Sequence, residues 1–437
     1  MNHPVWDLPG LGSGWIIGLI SIIHVSIAHL VVGAGFWLAL LEGRAQRTGD
    51  AALSTWLGQR AKALLWLSSI FGAGTGVGIW VAIGLVNPTG TQHLIRAFVM
   101  GWATEWALFA GEMGTLIVLA KAWGRLAPRK RRILTWAYAA CAWLSLVVIN
   151  GIITFMLSPG KGWTESHAMW DGFFNPTYLP SLLLRTWVAL ALGGLWALAS
   201  APAPELRARV FRPSALLLLA GVLLCVPTAW YYFQAFPAPA QALVRSNLAG
   251  ASGLAQGFRW ALAGLGAFLA PALLALWALR SPGSLRRPAV VLGLLLACWG
   301  FGSFEWIREV ARKPYVIRGV LYANGVRADE VASHQAEGFL PRNAWARTFA
   351  ASKGDTELAR GEALVRSQCL ACHTRDGYRS LRALTGAFSQ EDAVAWVQTL
   401  RSLDPDMNPY LDKMPPFAGT DQEAEWAGRY LASLNGK

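Results

Sequence analysis

The chain has 437 residues, enough for two or three domains; it is 54% hydrophobic and 14% charged, with a mean hydropathy of +0.37. Soluble domains carry about 25% charged residues, so this composition excludes a purely soluble protein, and the 23 Trp suit indoles at water–lipid boundaries. The formal charge of +13 raises nucleic-acid binding only until the cations are located.

Apolar stretches long enough to span a bilayer, about 20 residues, recur over the first 310 positions. They predict eight helices at 15–41, 63–86, 97–121, 133–157, 179–199, 214–236, 257–279 and 288–309. Met1 to Gly14 has no basic region and the first apolar run is too long for a signal peptide, so no cleavable signal is expected. Cys141, Cys225 and Cys298 stand alone in apolar runs and read as small buried thiols.

The loops set the orientation. Arg44, Arg47, Arg60 and Lys62 follow the first span, and Arg125, Arg129, Lys130, Arg131 and Arg132 the third. Arg207, Arg209 and Arg212 follow the fifth, and Arg280, Arg286 and Arg287 the seventh. The alternate loops hold only Arg96, Lys161 and Arg245. The positive-inside rule places the basic loops in the cytoplasm and the N-terminus outside. The charge is then a topology signal, no nucleic acid is expected, and the bilayer lipid is the first partner. Eight crossings return the chain to the outside, so everything after about Lys313 is expected in the periplasm of a bacterial inner-membrane protein.

Composition changes there. We read a membrane domain at 1–312, a linker at 313–351 and a compact domain at 352–437. Cys369-Leu370-Ala371-Cys372-His373 is the C-x-x-C-H signature of covalent haem attachment: two thiols add to the two vinyl groups of one haem c, and His373 lies below the iron. Helical patterning precedes the motif, and Thr420-Asp421-Gln422-Glu423 is a capping box leading into a helix with Trp426, Tyr430, Leu431 and Leu434. These flanks resemble those of small class I cytochromes c. Met414, in Met414-Pro415-Pro416, is the expected sixth ligand, with Met407 and a surface His334 as rivals. A His/Met haem has no open iron position, so this domain carries electrons. The expected fold is all-α: an eight-helix transmembrane bundle followed by a small α-helical cytochrome c domain.

Polar residues inside the spans are costly and point to function. His24, His29, Glu105, Glu112, Arg185, Arg259, Glu305, Arg308 and Glu309 are of this kind. At about 1.5 Å per residue, His24 lies roughly 14 Å and Glu105 roughly 12 Å below the outer face, with Glu112 two turns deeper. His24 and His29 are about 140° apart around the helix, so one haem cannot readily use both.

Over residues 15–320 the sequence resembles subunit I of cytochrome bd-type quinol oxidases. The resemblance rests on Ile23-His24-Val25 with Gly33 downstream, Phe71-Gly72-Ala73-Gly74-Thr75-Gly76, and Glu105 through Glu112 to Trp123-Gly124-Arg125-Leu126. It continues in Phe155-Met156-Leu157-Ser158-Pro159, Phe258-Arg259 and Glu309-Val310-Ala311-Arg312-Lys313-Pro314-Tyr315. The resemblance implies that His24 is an axial ligand of the active-site haem and that Glu309 ligates or borders a second, high-spin haem. It also implies that Glu105 and Glu112 line the oxygen site and proton route, and that Arg259 and Arg312 neutralise haem propionates. One or two non-covalent haems, b and/or d type, are the implied cofactors, and a subunit II-like chain an implied partner. The family's low-spin haem takes a His and a Met where this chain has Arg185 and Ala261, and its quinol-binding loop is reduced to about Pro237–Gln256.

These features predict a cytochrome c-linked terminal oxidase, an oxidoreductase that takes electrons from a periplasmic donor such as a cytochrome c and reduces oxygen. The alternatives are a non-catalytic electron-relay subunit of a larger respiratory complex, nitric oxide reduction, and quinol oxidation at a rebuilt site.

Overall fold

The computed structural model describes residues 6, 8–200, 203–250, 253–281 and 287–436. Arg286, counted above among the loop cations, lies outside the described residues, as do Met1–Val5 and Asp7 of the N-terminal stretch, Ala251 and Ser252 of the shortened loop, and Lys437.

Each of the eight predicted spans is a helix long and apolar enough to cross a membrane, so the protein is a multi-pass membrane protein. They are α1 (Ser13–Thr48), α2 (Ala51–Val86), α3 (Val99–Arg125), α4 (Pro128–Leu157), α5 (Tyr178–Ala199), α6 (Pro204–Gln234), α7 (Ala255–Arg280) and α8 (Arg287–Arg312). Their starts follow local chemistry. The Asp50 side chain accepts from Leu53 N at 3.0 Å to cap α2. Pro128 and Pro204 open α4 and α6, where a missing N–H costs nothing. α2 contains a π-helical turn at Leu67–Gly72, immediately before its glycine-rich segment.

The chain divides into two compact units, one of residues 21–77 and 97–311, the other of residues up to 20, 78–96 and 312–437. In the first unit α5 is central: 67% of its apolar window is buried, against 6% for α2. α1 and α5 cross backbone to backbone. A Cβ on Gly33 would lie 1.7 Å from the Ala189 carbonyl oxygen, and one on Gly193 would lie 2.3 Å from the Gly33 carbonyl carbon. Only small residues permit that approach, which supplies dispersion contact where lipid removes the hydrophobic drive. Trp37, fully buried, donates from Nε1 to Ser214 Oγ at 2.8 Å and so joins α1 to α6.

In the second unit, residues 313–351 are folded rather than extended. They form the hairpin β1 (Tyr315–Ile317) and β2 (Leu321–Tyr322), then α9 (Val331–Glu337) and α10 (Ala344–Ser352). Tyr322, Val326, Val331, Phe339, Leu340, Ala346 and Ala350 share one apolar cluster with Leu364, Leu370, Val397, Phe417 and Leu431. Those belong to α11 (Glu357–Gln368), α12 (Gln390–Arg401), α13 (Asp421–Ser433) and the loops between them. The capping box expected at Thr420 and Glu423 is present. Glu423, 3% exposed, also accepts from Phe339 N at 2.7 Å and Leu340 N at 2.8 Å. His334, expected on the surface, is instead buried against Phe339, because the segment around it joins the core.

Candidate functional site

His24 sits on the α1 face turned to the glycine-rich stretch of α2. Its Nδ1 is 2.9 Å from Thr75 Oγ1, and the hydroxyl also bonds back to the Phe71 and Gly72 carbonyls. A Thr hydroxyl has one proton. Committed to a carbonyl of its own helix, it accepts from the imidazole, which leaves Nε2 as the free lone pair. The wall opposite is kept flat. A Cβ on Gly76 would lie 3.3 Å from His24 Cε1, whereas one on Gly74 would meet nothing within 4 Å. An oriented imidazole beside open space bounded by glycines suits a flat macrocycle carrying a metal.

Glu105 and Glu112 project from α3 toward α4. Ser145 Oγ donates to Glu105 Oε1 at 3.1 Å. Glu112 is 8% exposed and within electrostatic range of Glu105, Tyr138 and Cys141. Tyr138, fully buried, lies beside Ser68 in the π-helical turn of α2, and its hydroxyl is 3.5 Å from the Val31 carbonyl. The two glutamates and Tyr138 thus form one polar file in an apolar interior. Ser68 and Tyr138 were not singled out from the sequence; a hydroxyl on a neighbouring helix gives no linear signal.

A second buried cluster has a different character. Arg185 on α5 pairs with Glu305 Oε1 on α8 at 2.6 Å, and Arg308 Nε donates to Glu305 Oε2 at 2.9 Å. Arg185 Nε continues to Ser181 Oγ at 3.3 Å, and Ser181 Oγ to Asn150 Oδ1 at 2.7 Å. The Arg185 guanidinium lies over Phe304, 5.6 Å from the ring centre. Glu305 and Arg308 are enclosed in the bundle, where Arg185 pairs with the same carboxylate. His29, 3% exposed, packs on Phe301 with Nδ1 at 2.7 Å from the Val25 carbonyl. Its Nε2 makes no hydrogen bond and is sealed from solvent. Unlike His24, it has no glycine wall beside it.

The remaining predicted residues are dispersed. Glu309 is half-buried one turn beyond Glu305, and its charge acts on Arg308. Arg312, 6% exposed, donates from Nη1 to the Val316 carbonyl at 2.8 Å. Arg259 is exposed on α7. Among the described residues no three His, Cys, Asp or Glu side chains converge as a metal group.

In the C-terminal unit, Cys369 and Met414 pack against the same apolar cluster. Burial pushes the Cys369 thiol up to about 12, so the site is built for an uncharged sulfur. His373 Nδ1 lies 3.0 Å from the Arg379 carbonyl, which fixes the tautomer and frees Nε2. Burial holds this imidazole below its ordinary pKa, which favours the neutral ligand form. Met407, the rival sixth ligand, is 66% exposed and turned away from the cluster.

No protein-family model matches the chain. No curated protein matches it either. Among solved structures the fold is similar to that of the bd oxidase from Geobacillus thermodenitrificans, with a TM-score of 0.59 and 14% identity over 70% of this chain and 88% of that chain. At that identity the likeness establishes the fold: this chain carries a bd oxidase-like helical bundle.

Proposed function

We propose that the protein is a cytochrome c-linked, bd-like terminal oxidase subunit. Cys369, Cys372, His373 and Met414 would hold one covalent haem c, and His24, with Glu309 as a second candidate ligand, would hold non-covalent haem of b or d type. The observation that carries the reading is shared by both regions: His24 and His373 each have Nδ1 engaged by a protein oxygen. Haem held at His24 would supply one-electron chemistry and oxygen binding.

The chain's own groups do the rest. Thr75 orients His24, and the glycines of α2 leave room for a macrocycle. Glu112 takes up protons in the interior and passes them toward Glu105, which Ser145 holds in place. His373 and Met414 would together hold the c haem, which would then carry electrons and bind no oxygen. The N-terminus and the C-terminal unit are assigned to the periplasm, where a soluble donor such as a cytochrome c delivers electrons. A second, subunit II-like chain and lipid cover the apolar faces the bundle leaves exposed.

The test is a carbon monoxide difference spectrum of the reduced protein, with oxygen uptake driven by reduced cytochrome c. A high-spin haem signal and oxygen consumption are expected. Absence of the carbon monoxide signal overturns the oxidase reading, and a signal without oxygen uptake supports an electron-relay subunit instead.

A further inference from the structure

Residues before α1 do something their composition does not announce. Trp6 N donates to the Leu85 carbonyl at 3.0 Å, at the end of α2. The chain then runs along the attachment loop. Tyr378 N donates to the Gly10 carbonyl at 2.7 Å. Ser13 Oγ donates to the Ala371 carbonyl, between the two motif cysteines, at 3.4 Å. Trp15 packs edge-on against Tyr378 with ring centres 5.9 Å apart.

The fit is between backbones. A Cβ on Gly377 would lie 2.0 Å from the Gly10 carbonyl oxygen and 2.3 Å from its Cα. Gly10 has φ +85° and Gly12 φ +79°, conformations that cost L-residues free energy and leave glycine unstrained. A Cβ on Gly12 would lie 3.1 Å from the Thr374 methyl. Gly377 thus leaves room for the Gly10 backbone, while Gly10 and Gly12 are favoured by their positive φ.

The gripped loop is the one that sets His373. Thr374 Oγ1 donates to the Tyr378 carbonyl and accepts from Gly377 N, both at 2.8 Å. Arg379, the next residue, supplies the carbonyl that engages His373 Nδ1. A second set of ties holds the same unit: Asn87 Nδ2 donates to the Ala323 carbonyl at 3.3 Å, and Gly325 and Gly90 leave room for Thr89 and Val316.

We propose that residues 9–15 are a latch that fastens the haem-attachment loop to the start of α1, the helix that carries His24, and that Gly10, Gly377 and Tyr378 are positioning residues for electron passage out of the c haem. This rests on the function proposed above. Each passage would oxidise the c haem by one electron and reduce its acceptor by one, and an attachment loop held in one geometry keeps His373 set for that transfer.

The experiment uses the full chain in detergent, as wild type, Gly377→Val and Gly10→Val. The second variant leaves the C-terminal domain's own sequence intact if the first fails to take up haem. Covalent haem content is measured as a folding control, followed by hydrogen exchange of peptides covering Tyr378. Haem c reoxidation by oxygen is then followed by stopped flow. In the variants, exchange at Tyr378 is expected to rise about tenfold or more, and reoxidation to slow several-fold at unchanged haem c content. Exchange unchanged in Gly10→Val overturns the latch. Raised exchange with unchanged reoxidation overturns its role in electron passage. A wild type whose haem c is never reoxidised overturns the proposed function, while the exchange result still decides whether the latch exists.

Discussion

The bundle buries polar groups in two ways. Around Arg185 the charges neutralise one another: Glu305 is held between Arg185 and Arg308, and the contacts run on to Ser181 and Asn150, while Arg185 Nη1 and Arg308 Nη1 make no hydrogen bond. Around His24 the partner is a single hydroxyl, and glycines leave space beside the ring. Burying an ion pair brings little net stability, but removing one partner is severe, because the other charge is left in a low-dielectric interior. Charges that neutralise one another therefore behave as architecture. An oriented, incompletely satisfied group next to open space behaves as a site.

The comparison breaks at different points for different substitutions. His24→Ala is expected to have the largest effect: complete loss of the carbon monoxide-binding haem, with the covalent haem retained, read from pigment extraction. Retention of the carbon monoxide signal would move the site elsewhere, with His29 the first candidate. Arg185→Leu comes next, with a loss of about 3–5 kcal/mol from the unpaired Glu305, measured by thermal or denaturant unfolding. The pair Arg185→Met with Glu305→Met should recover much of that loss. If it recovers nothing, the network is doing more than holding helices together.

Glu112→Gln should lower oxygen turnover by about 10²-fold while leaving the spectra and folding intact. Thr75→Val should loosen the haem at His24 by about tenfold, with a shifted spectrum as the readout. The smallest effect lies outside the bundle. Glu362 is buried at its interior end, and salt bridges from Lys353 at 2.6 Å and Arg366 at 2.8 Å outweigh that burial and hold its carboxyl below the usual range. Its contribution is therefore present at neutral pH and is lost as pH falls through the depressed value. Acid unfolding of Glu362→Gln followed by haem c absorbance should show a flatter pH dependence than wild type.

Much of this was legible in linear order. Eight spans were readable because each is a long apolar run, and the C-x-x-C-H signature stands out in the sequence because its residues are contiguous. The capping box at Thr420 was readable for the same reason. What escaped was anything that depends on two distant segments meeting. Arg185 was visibly out of place on an apolar helix, but nothing in its neighbourhood names Glu305 as its partner. His334 sits among polar residues and reads as exposed, yet Val331 and Phe339 carry it inward. The latch is hardest of all to read, since Gly10 and Gly377 signal only flexibility until they are seen touching.

Glu423 carries a consequence for how the C-terminal unit is made. Its carboxylate both closes the start of α13 and receives the amides of Phe339 and Leu340, which lie upstream of the attachment motif. Those two amides have no such acceptor until the chain beyond the motif has been made. The tie between residues 339–340 and α13 can therefore form only after residues 369–373 have been made. On the function proposed above, haem would be attached at Cys369 and Cys372 in that interval.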